Sequence, residues 1–106
     1  MIIKSDQASF QTDVLQSDVP VLLDFTADWC PPCRALHPTL EELAEEYDGV
    51  ARIVQVDVDE NGDLAREYDV RGIPALFVIK DGEVVDDVVG LQSKADLKRM
   101  LDKHVG

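Results

Sequence analysis

The chain has 106 residues, 45% of them hydrophobic, and its 22 acidic residues outnumber 10 lysines and arginines to give a formal net charge of −12. This length predicts one domain over residues 1–106 with a core of its own, and the hydrophobic content argues against a disordered chain. The negative charge excludes nucleic acid and anionic membrane surfaces as expected partners, because both would repel it.

The start of the sequence has no basic stretch leading into an apolar segment, so we expect no secretory signal. No apolar run approaches the roughly 18 residues that a membrane span requires. We therefore expect a cytoplasmic protein, in a compartment where permanent disulfides are unusual.

Strand and helix patterns alternate along the chain. The apolar run at 19–27 is typical of a strand buried on both faces, residues 31–47 have helical spacing, and Asp81-Gly82 is a strong hairpin signal. In chain order, the predicted elements are a strand at 1–4, a polar helix at 5–16 with Phe10, Val14 and Leu15 facing inward, a strand at 19–27, a helix at 31–47, a strand at 51–59, a short helix within 61–70, strands at 75–80 and 83–89, and a helix from Ser93 to His104.

This order predicts an α/β fold with a central mixed, mostly parallel sheet of five strands flanked by four helices, and with the terminal hairpin as an antiparallel edge. In such sheets, functional groups collect beyond the carboxyl ends of the strands, where the next helices begin. The only two cysteines, Cys30 and Cys33, lie there, where the strand at 19–27 leads into the longest helix.

A cysteine pair with this spacing suits a metal clip, a structural disulfide or a redox-active dithiol. A structural zinc site takes four ligands, and the chain offers only these cysteines with His37 and His104, which fall in different helices. A disulfide across two residues closes a very short loop and therefore stabilises little. Redox cycling fits the pair best.

The two prolines between the cysteines support that interpretation. If Cys30 is the helix N-cap, Pro31 and Pro32 occupy the first turn, where a missing amide hydrogen costs nothing. The amide of Cys33 then points back at the Cys30 sulfur, and the helix dipole favours a thiolate there. We expect Cys30 to be the attacking sulfur and Cys33 the resolving one, one turn deeper and more buried.

Several segments resemble the thioredoxin family across essentially the whole chain. They include "DFTADWCPPCRALHP", with Trp29 before the cysteines and Pro38 after them, "VRGIPALFVIKDGEVV" and "VGLQSKADLKRML". The resemblance implies a thioredoxin fold with a Cys-Pro-Pro-Cys variant of the active site, and thiol–disulfide exchange on disulfide-containing protein substrates. It implies that no metal or organic cofactor is needed, and it suggests a monomer that a thioredoxin reductase returns to the dithiol form.

The resemblance also assigns a substrate groove. Pro74 matches the family's cis-proline, which lets the backbone of Ile73 pair with an extended substrate, whereas a trans bond is the general expectation for an X–Pro pair. An exposed Trp29 would anchor partners, and the alternative is partial packing in the core. The residues that the resemblance places in the groove are Trp29, Pro31, Pro32, Gly72, Ile73, Pro74 and Gly90.

Asp24 lies inside the apolar run "VLLDF", where burying a carboxylate is costly. The resemblance implies that it is buried behind Cys33 and acts as a general base for that thiol, since desolvation raises the pKa of a carboxyl group. The alternative is an aspartate that reaches water. His37 is expected to be a partly exposed helix residue, and Asp57, Asp59 and Glu60 a solvated strand end and loop.

Four residues depart from the family pattern. Pro31 replaces the usual glycine, which suggests a less reducing protein than a typical thioredoxin and keeps a disulfide oxidase or isomerase open as an alternative. Gln55 stands where many bacterial members have a lysine near the buried aspartate. Thr26 and Ala75 put partner preference in question, including recognition by a reductase. A binding subunit that uses the groove without turnover is the third possibility.

Overall fold

The structure, a computed structural model, describes all 106 residues. Its elements are β1 (Ile3–Ser5), a single π-helical turn (Gln11–Leu15), β2 (Val21–Thr26), α1 (Pro31–Glu46), β3 (Arg52–Asp57), α2 (Gly62–Glu67), β4 (Ala75–Lys80), β5 (Glu83–Val89) and α3 (Lys94–Asp102). This order confirms the predicted alternation of strands and helices and the terminal hairpin. None of the helices combines the length and apolar character that crossing a membrane requires.

The five strands form one mixed sheet in the order β1-β3-β2-β4-β5. β3 pairs in parallel with both β1 and β2, whereas β4 is antiparallel to β2 and to β5. Four strands therefore run in one direction and β4 alone runs in the other. The α/β class and the mixed sheet are confirmed, and the hairpin forms its antiparallel edge.

The core occupies both faces of this sheet. Leu22, Ile53 and Leu76 join side chains of α1 and α3 in a cluster on one face, whereas Leu23 and Val54 belong to a second cluster with Phe10 and Leu64. Successive residues of β2 thus enter opposite clusters, as alternation along a strand requires. The prediction of a strand buried on both faces is confirmed.

The predicted helix at 5–16 is shorter than expected. Ser5 belongs to β1, and the carboxylate of Asp6 accepts hydrogen bonds from the backbone N–H of Ser9 at 2.9 Å and from its hydroxyl at 3.1 Å. Side chain–backbone bonds of this kind compete with helix formation. Phe10 and Val14 are buried as expected, because the short turn that remains still presents its apolar side to the sheet.

Candidate functional site

The site begins where the chain leaves β2 and enters α1, beyond the carboxyl end of the strand. Cys30 is the N-cap of α1 with extended backbone angles, φ −91° and ψ 107°, and Pro31 and Pro32 fill the first two helical positions. The backbone N–H of Cys33 donates to Cys30 Sγ at 3.3 Å. The predicted cap geometry is confirmed.

Cys30 and Cys33 form a disulfide, with their Cα atoms 5.2 Å apart. The two residues are almost equally buried, with Cys30 3% and Cys33 2% exposed. The expectation that Cys33 is the more buried residue is therefore not confirmed. Their surroundings differ instead. Cys30 Sγ lies 3.9 Å from the carbonyl oxygen of Ile73, whereas Cys33 borders a polar cavity described below.

The Ile73–Pro74 peptide bond is cis, and Pro74 is buried. Its carbonyl accepts a hydrogen bond from the N–H of Gly90 at 2.8 Å, which ties this turn to the end of β5. Gly90 has φ +97°, a left-handed conformation that favours glycine. The backbone N–H and carbonyl of Ile73 make no backbone hydrogen bond within the chain.

Trp29 is 63% exposed, so its alternative placement in the core is wrong. Its indole N–H donates to the carboxylate of Asp59 at 2.7 Å. Sequence reasoning missed this partner by assigning Asp59 to a solvated loop. A signal was available, because β2 and β3 are parallel neighbours and the loops that follow their carboxyl ends must meet at one edge of the sheet.

Exposed apolar side chains lie beside Gly90, whose N–H bonds to the carbonyl of Pro74. Val89 and Leu91 flank Gly90 and are both exposed, and a Cβ on Gly72 would lie 3.2 Å from Val89 Cγ1. Sequence reasoning missed Val89 and Leu91, because nothing in their local pattern marks them as part of this surface. We call this surface the candidate groove; its residues are Trp29, Pro31, Pro32, Gly72, Ile73, Pro74, Val89, Gly90 and Leu91.

Asp24 is completely buried, so the alternative of an aspartate that reaches water is wrong. Its Oδ2 accepts a hydrogen bond from the side-chain N–H of Gln55 at 3.0 Å, and its Oδ1 has no partner. Burial raises the pKa of Asp24 from its ordinary 3.8 to about 6, and the Gln55 hydrogen bond acts in the opposite direction.

An open polar cavity of about 590 Å³ lies beside Cys33. Gln55 lines it, whereas Asp24 does not. His37 also lines it, is half-exposed and pairs with Glu41 at 3.1 Å along α1, so it is the helix residue that we predicted. The remaining lining residues relevant here are Lys4, Arg34 and Asp57.

The thioredoxin family model matches residues 1–103 of the chain. The thioredoxin of Staphylococcus haemolyticus is 50% identical over 98% of this chain and 98% of its own length. Thioredoxin C-2 of Corynebacterium nephridii is 46% identical over 98% and 96%, and the thioredoxin of Chlorobaculum thiosulfatiphilum is 46% identical over 92% and 91%. With the Cys30–Cys33 pair, these matches make the protein a thiol–disulfide oxidoreductase. The chain belongs to the thioredoxin family.

Proposed function

We propose that this protein-disulfide reductase attacks its substrates with Cys30 and resolves the resulting intermediate with Cys33. The observation that carries the assignment is the position of Cys30 Sγ, which accepts the N–H of Cys33 at the positive end of α1 and faces Ile73 at 3.9 Å. Both the amide and the helix dipole stabilise a thiolate at that position.

The reaction transfers two electrons in two exchange steps. The Cys30 thiolate attacks one sulfur of the substrate disulfide, forming a mixed disulfide and releasing the other substrate sulfur as a thiolate. Cys33 then loses its proton and attacks Cys30 Sγ, which releases the second substrate thiolate. The substrate is reduced to a dithiol, and the protein is left with the Cys30–Cys33 disulfide.

Asp24 is proposed as the base that takes the proton from Cys33. With a pKa raised to about 6, its carboxyl group is ionised for the most part near neutral pH and still basic enough to accept a proton. The free Oδ1 supports this role, because a buried acceptor without a partner is unusual.

The candidate groove is proposed as the binding surface for an extended segment of the substrate. The unpaired backbone groups of Ile73 would bond to the substrate main chain, as a strand added to a sheet edge does. The exposed ring of Trp29 would supply an apolar anchor. A chain bound along Ile73 would present its disulfide to Cys30 in preference to Cys33.

We further propose that residues 1–106 act as one domain and as a monomer, and that a thioredoxin reductase regenerates the dithiol. A dithiol that must be kept reduced also suits the cytoplasm. Insulin reduction tests whether a thioredoxin reductase is the partner. We expect activity with either electron donor, dithiothreitol or a thioredoxin reductase with NADPH. Activity with dithiothreitol but not with the reductase would contradict the proposal.

Trapping experiments test the two sulfur roles. Cys33→Ser should accumulate a mixed disulfide with insulin chains, because the first step proceeds and the second cannot. Cys30→Ser should accumulate none and should lose reductase activity. The opposite pattern, with the adduct on Cys33 in the Cys30→Ser variant, would contradict the proposal.

A further inference from the structure

The ring of Trp29 depends on one hydrogen bond for its orientation. The residue is 63% exposed, so packing restrains it little, and its indole N–H donates to Asp59 Oδ2 at 2.7 Å. Asp59 lies in the loop between β3 and α2, and its carboxylate makes no other hydrogen bond with the chain. How well the ring is oriented therefore depends on how firmly this loop is held.

Four hydrogen bonds close that loop into a compact turn, which runs from Asp57 to Asn61. The carboxylate of Asp57 accepts the backbone N–H of Asp59 at 2.8 Å and that of Glu60 at 3.2 Å. The carbonyl of Asp57 accepts the backbone N–H of Asn61 at 3.0 Å and its side-chain N–H at 3.1 Å. The turn thus holds Asp59 at its middle and ends at Asn61.

Asn61 fastens this turn to a distant part of the chain. It is only 5% exposed, and its Oδ1 accepts the backbone N–H of Gln7 at 3.1 Å, across 54 positions of the sequence. Asn61 is also the N-cap of α2, where an asparagine side chain usually accepts an amide of its own helix. It makes no such cap bond here. The side chain therefore serves the turn and the N-terminal segment instead of its helix.

The N-terminal segment that carries Gln7 is itself held in place. The carboxylate of Asp6 accepts the N–H and the hydroxyl of Ser9, the same bonds that shorten the first predicted helix. The hydroxyls of Ser5 and Ser9 are hydrogen-bonded at 3.0 Å, and Ser5 belongs to β1, which pairs with β3. Gln7 therefore offers its N–H to Asn61 from a segment that is fixed to the sheet.

We propose that Asn61 is a positioning residue for substrate binding. It ties the turn at 57–61 to the N-terminal segment at Gln7. Through this link, it holds Asp59 where its carboxylate orients the ring of Trp29. The inference rests on the proposed role of Trp29 as the anchor of the candidate groove. If Asn61 had only a structural role, its loss would lower the free energy of unfolding and leave both the ring and substrate binding unchanged.

The variant Asn61→Ser separates these two roles. A serine hydroxyl is too short to replace the bond to Gln7, but serine is a favoured N-cap residue and can accept an amide of α2, so the variant should fold. Trp29 is the only tryptophan in the chain, and its indole N–H therefore gives a single signal in ¹H–¹⁵N NMR. We expect this signal to shift toward that of solvated tryptophan and its exchange with water to become several-fold faster.

Insulin reduction shows whether the orientation of the ring matters for binding. We expect KM of Asn61→Ser to rise about threefold, which is about the worth of one hydrogen bond and less than removal of the ring should cost. The alkylation rate of Cys30 and kcat should stay as in the parent, because the N-terminus of α1 is unaltered. An unshifted indole signal, or a shifted signal with an unchanged KM, would overturn the positioning role.

Two comparisons keep the test decisive. Ser17→Ala is the matched control, since it also loses a hydrogen bond of a buried side chain, to the Val19 carbonyl at 2.7 Å, but before the start of β2. It should lower the urea midpoint without moving the indole signal or KM, and an equal rise in KM would overturn the proposal. In an Asp59→Ala background, Asn61→Ser should raise KM no further, because Asn61 acts through Asp59. A full additional rise would also overturn it.

The variant Trp29→Ala separates this inference from the function on which it rests. If Trp29→Ala leaves KM for insulin unchanged, the anchor role itself is wrong, and the positioning role falls with it. If Trp29→Ala raises KM while Asn61→Ser alters only the unfolding midpoint in urea, the anchor role stands and the positioning role of Asn61 is overturned.

Discussion

The two sides of the Cys30–Cys33 disulfide differ in character. On one side, the candidate groove is largely apolar, its side chains of Trp29, Val89 and Leu91 are exposed, and the backbone of Ile73 makes no backbone hydrogen bond. On the other side, a polar cavity borders Cys33 and reaches the amide that bonds to a fully buried carboxylate. The two cysteines thus have different surroundings, although the residues as a whole are almost equally buried in the oxidised protein. Two chemically identical residues three positions apart can therefore take different roles, because the end of a helix places them next to different regions.

The largest expected effect is on stability and comes from Asp24, the buried carboxyl group on the Cys33 side of the disulfide. A rise in the pKa of Asp24 from 3.8 to about 6 means that the protonated carboxyl group contributes about 3 kcal/mol more to the free energy of unfolding than the ionised one. Because the folded-state pKa is raised, this contribution to stability is fully present below pH 4 and is lost as the pH rises through about 6. Asp24→Asn, which is neutral at every pH, should therefore be more stable than the parent near pH 7 by up to about 3 kcal/mol, while the resolving step slows.

Urea unfolding at a series of pH values measures this effect. The two proteins should have similar stabilities at pH 4 and should diverge between pH 4 and 7. A parent protein whose stability does not fall over that interval would show that the carboxyl group of Asp24 is not destabilised by its burial.

The next effect concerns the exposed side. Trp29→Ala should lower kcat/KM for insulin about tenfold, since truncating an aromatic anchor typically costs more than about 1 kcal/mol. The free energy of unfolding of the Trp29→Ala variant should differ from that of the parent by less than about 0.5 kcal/mol, because the ring is mostly in solvent. Asp59→Asn keeps the ring and changes only its acceptor, so its effect should be smaller. An unaltered kcat/KM together with a large loss of stability would place Trp29 in the core after all.

The next effect is on the redox potential, which depends on the two residues between the cysteines. With Pro31 in place of glycine, we expect a potential above the roughly −270 mV of a typical thioredoxin. Pro31→Gly should make it more negative by a few tens of millivolts, where 30 mV is about 1.4 kcal/mol. Equilibration with glutathione measures both proteins, and a parent value at or below about −270 mV would contradict the expectation.

The effect on substrate binding should be smallest at the turn that forms the edge of the groove. Gly90→Ala should cost about 1–2 kcal/mol of stability, because φ +97° is strained for any residue with a Cβ. Gly49→Ala is the matched control: it has φ +83° and equally open surroundings, but lies outside the groove. Both variants should lose similar stability in urea, and only Gly90→Ala should also raise KM for insulin. Equal KM values would remove Gly90 from the binding surface.

The sequence predicts this fold well because its strongest signals are local. The continuous apolar run of β2, the helical spacing of α1 and the Asp-Gly turn each specify one element without reference to the rest. The error at residues 5–9 has a local cause of another kind. There, the hydrogen bonds of Asp6 with Ser9 compete with the helix, and hydrophobic periodicity does not register them.

In the site, too, the features that could be predicted are those that neighbouring residues determine. The cap formed by Cys30, Pro31, Pro32 and Cys33 could be predicted, because four consecutive residues and the rules for a helix N-terminus determine it. The Trp29–Asp59 hydrogen bond and the cavity beside Cys33 could not, because they depend on how loops and strands distant in sequence come together. The resemblance to the family supplied the cis bond at Pro74, where residue chemistry alone favours trans.

The most direct test of the account compares the reactivity of the two thiols in the reduced protein. Alkylation by iodoacetamide at slightly acidic pH, followed by peptide mass spectrometry, gives the rate at each cysteine. We predict that Cys30 reacts first and much faster than free cysteine, because the end of α1 stabilises its thiolate. Preferential labelling of Cys33, or a Cys30 no more reactive than free cysteine, would contradict the separate roles of the two sulfurs.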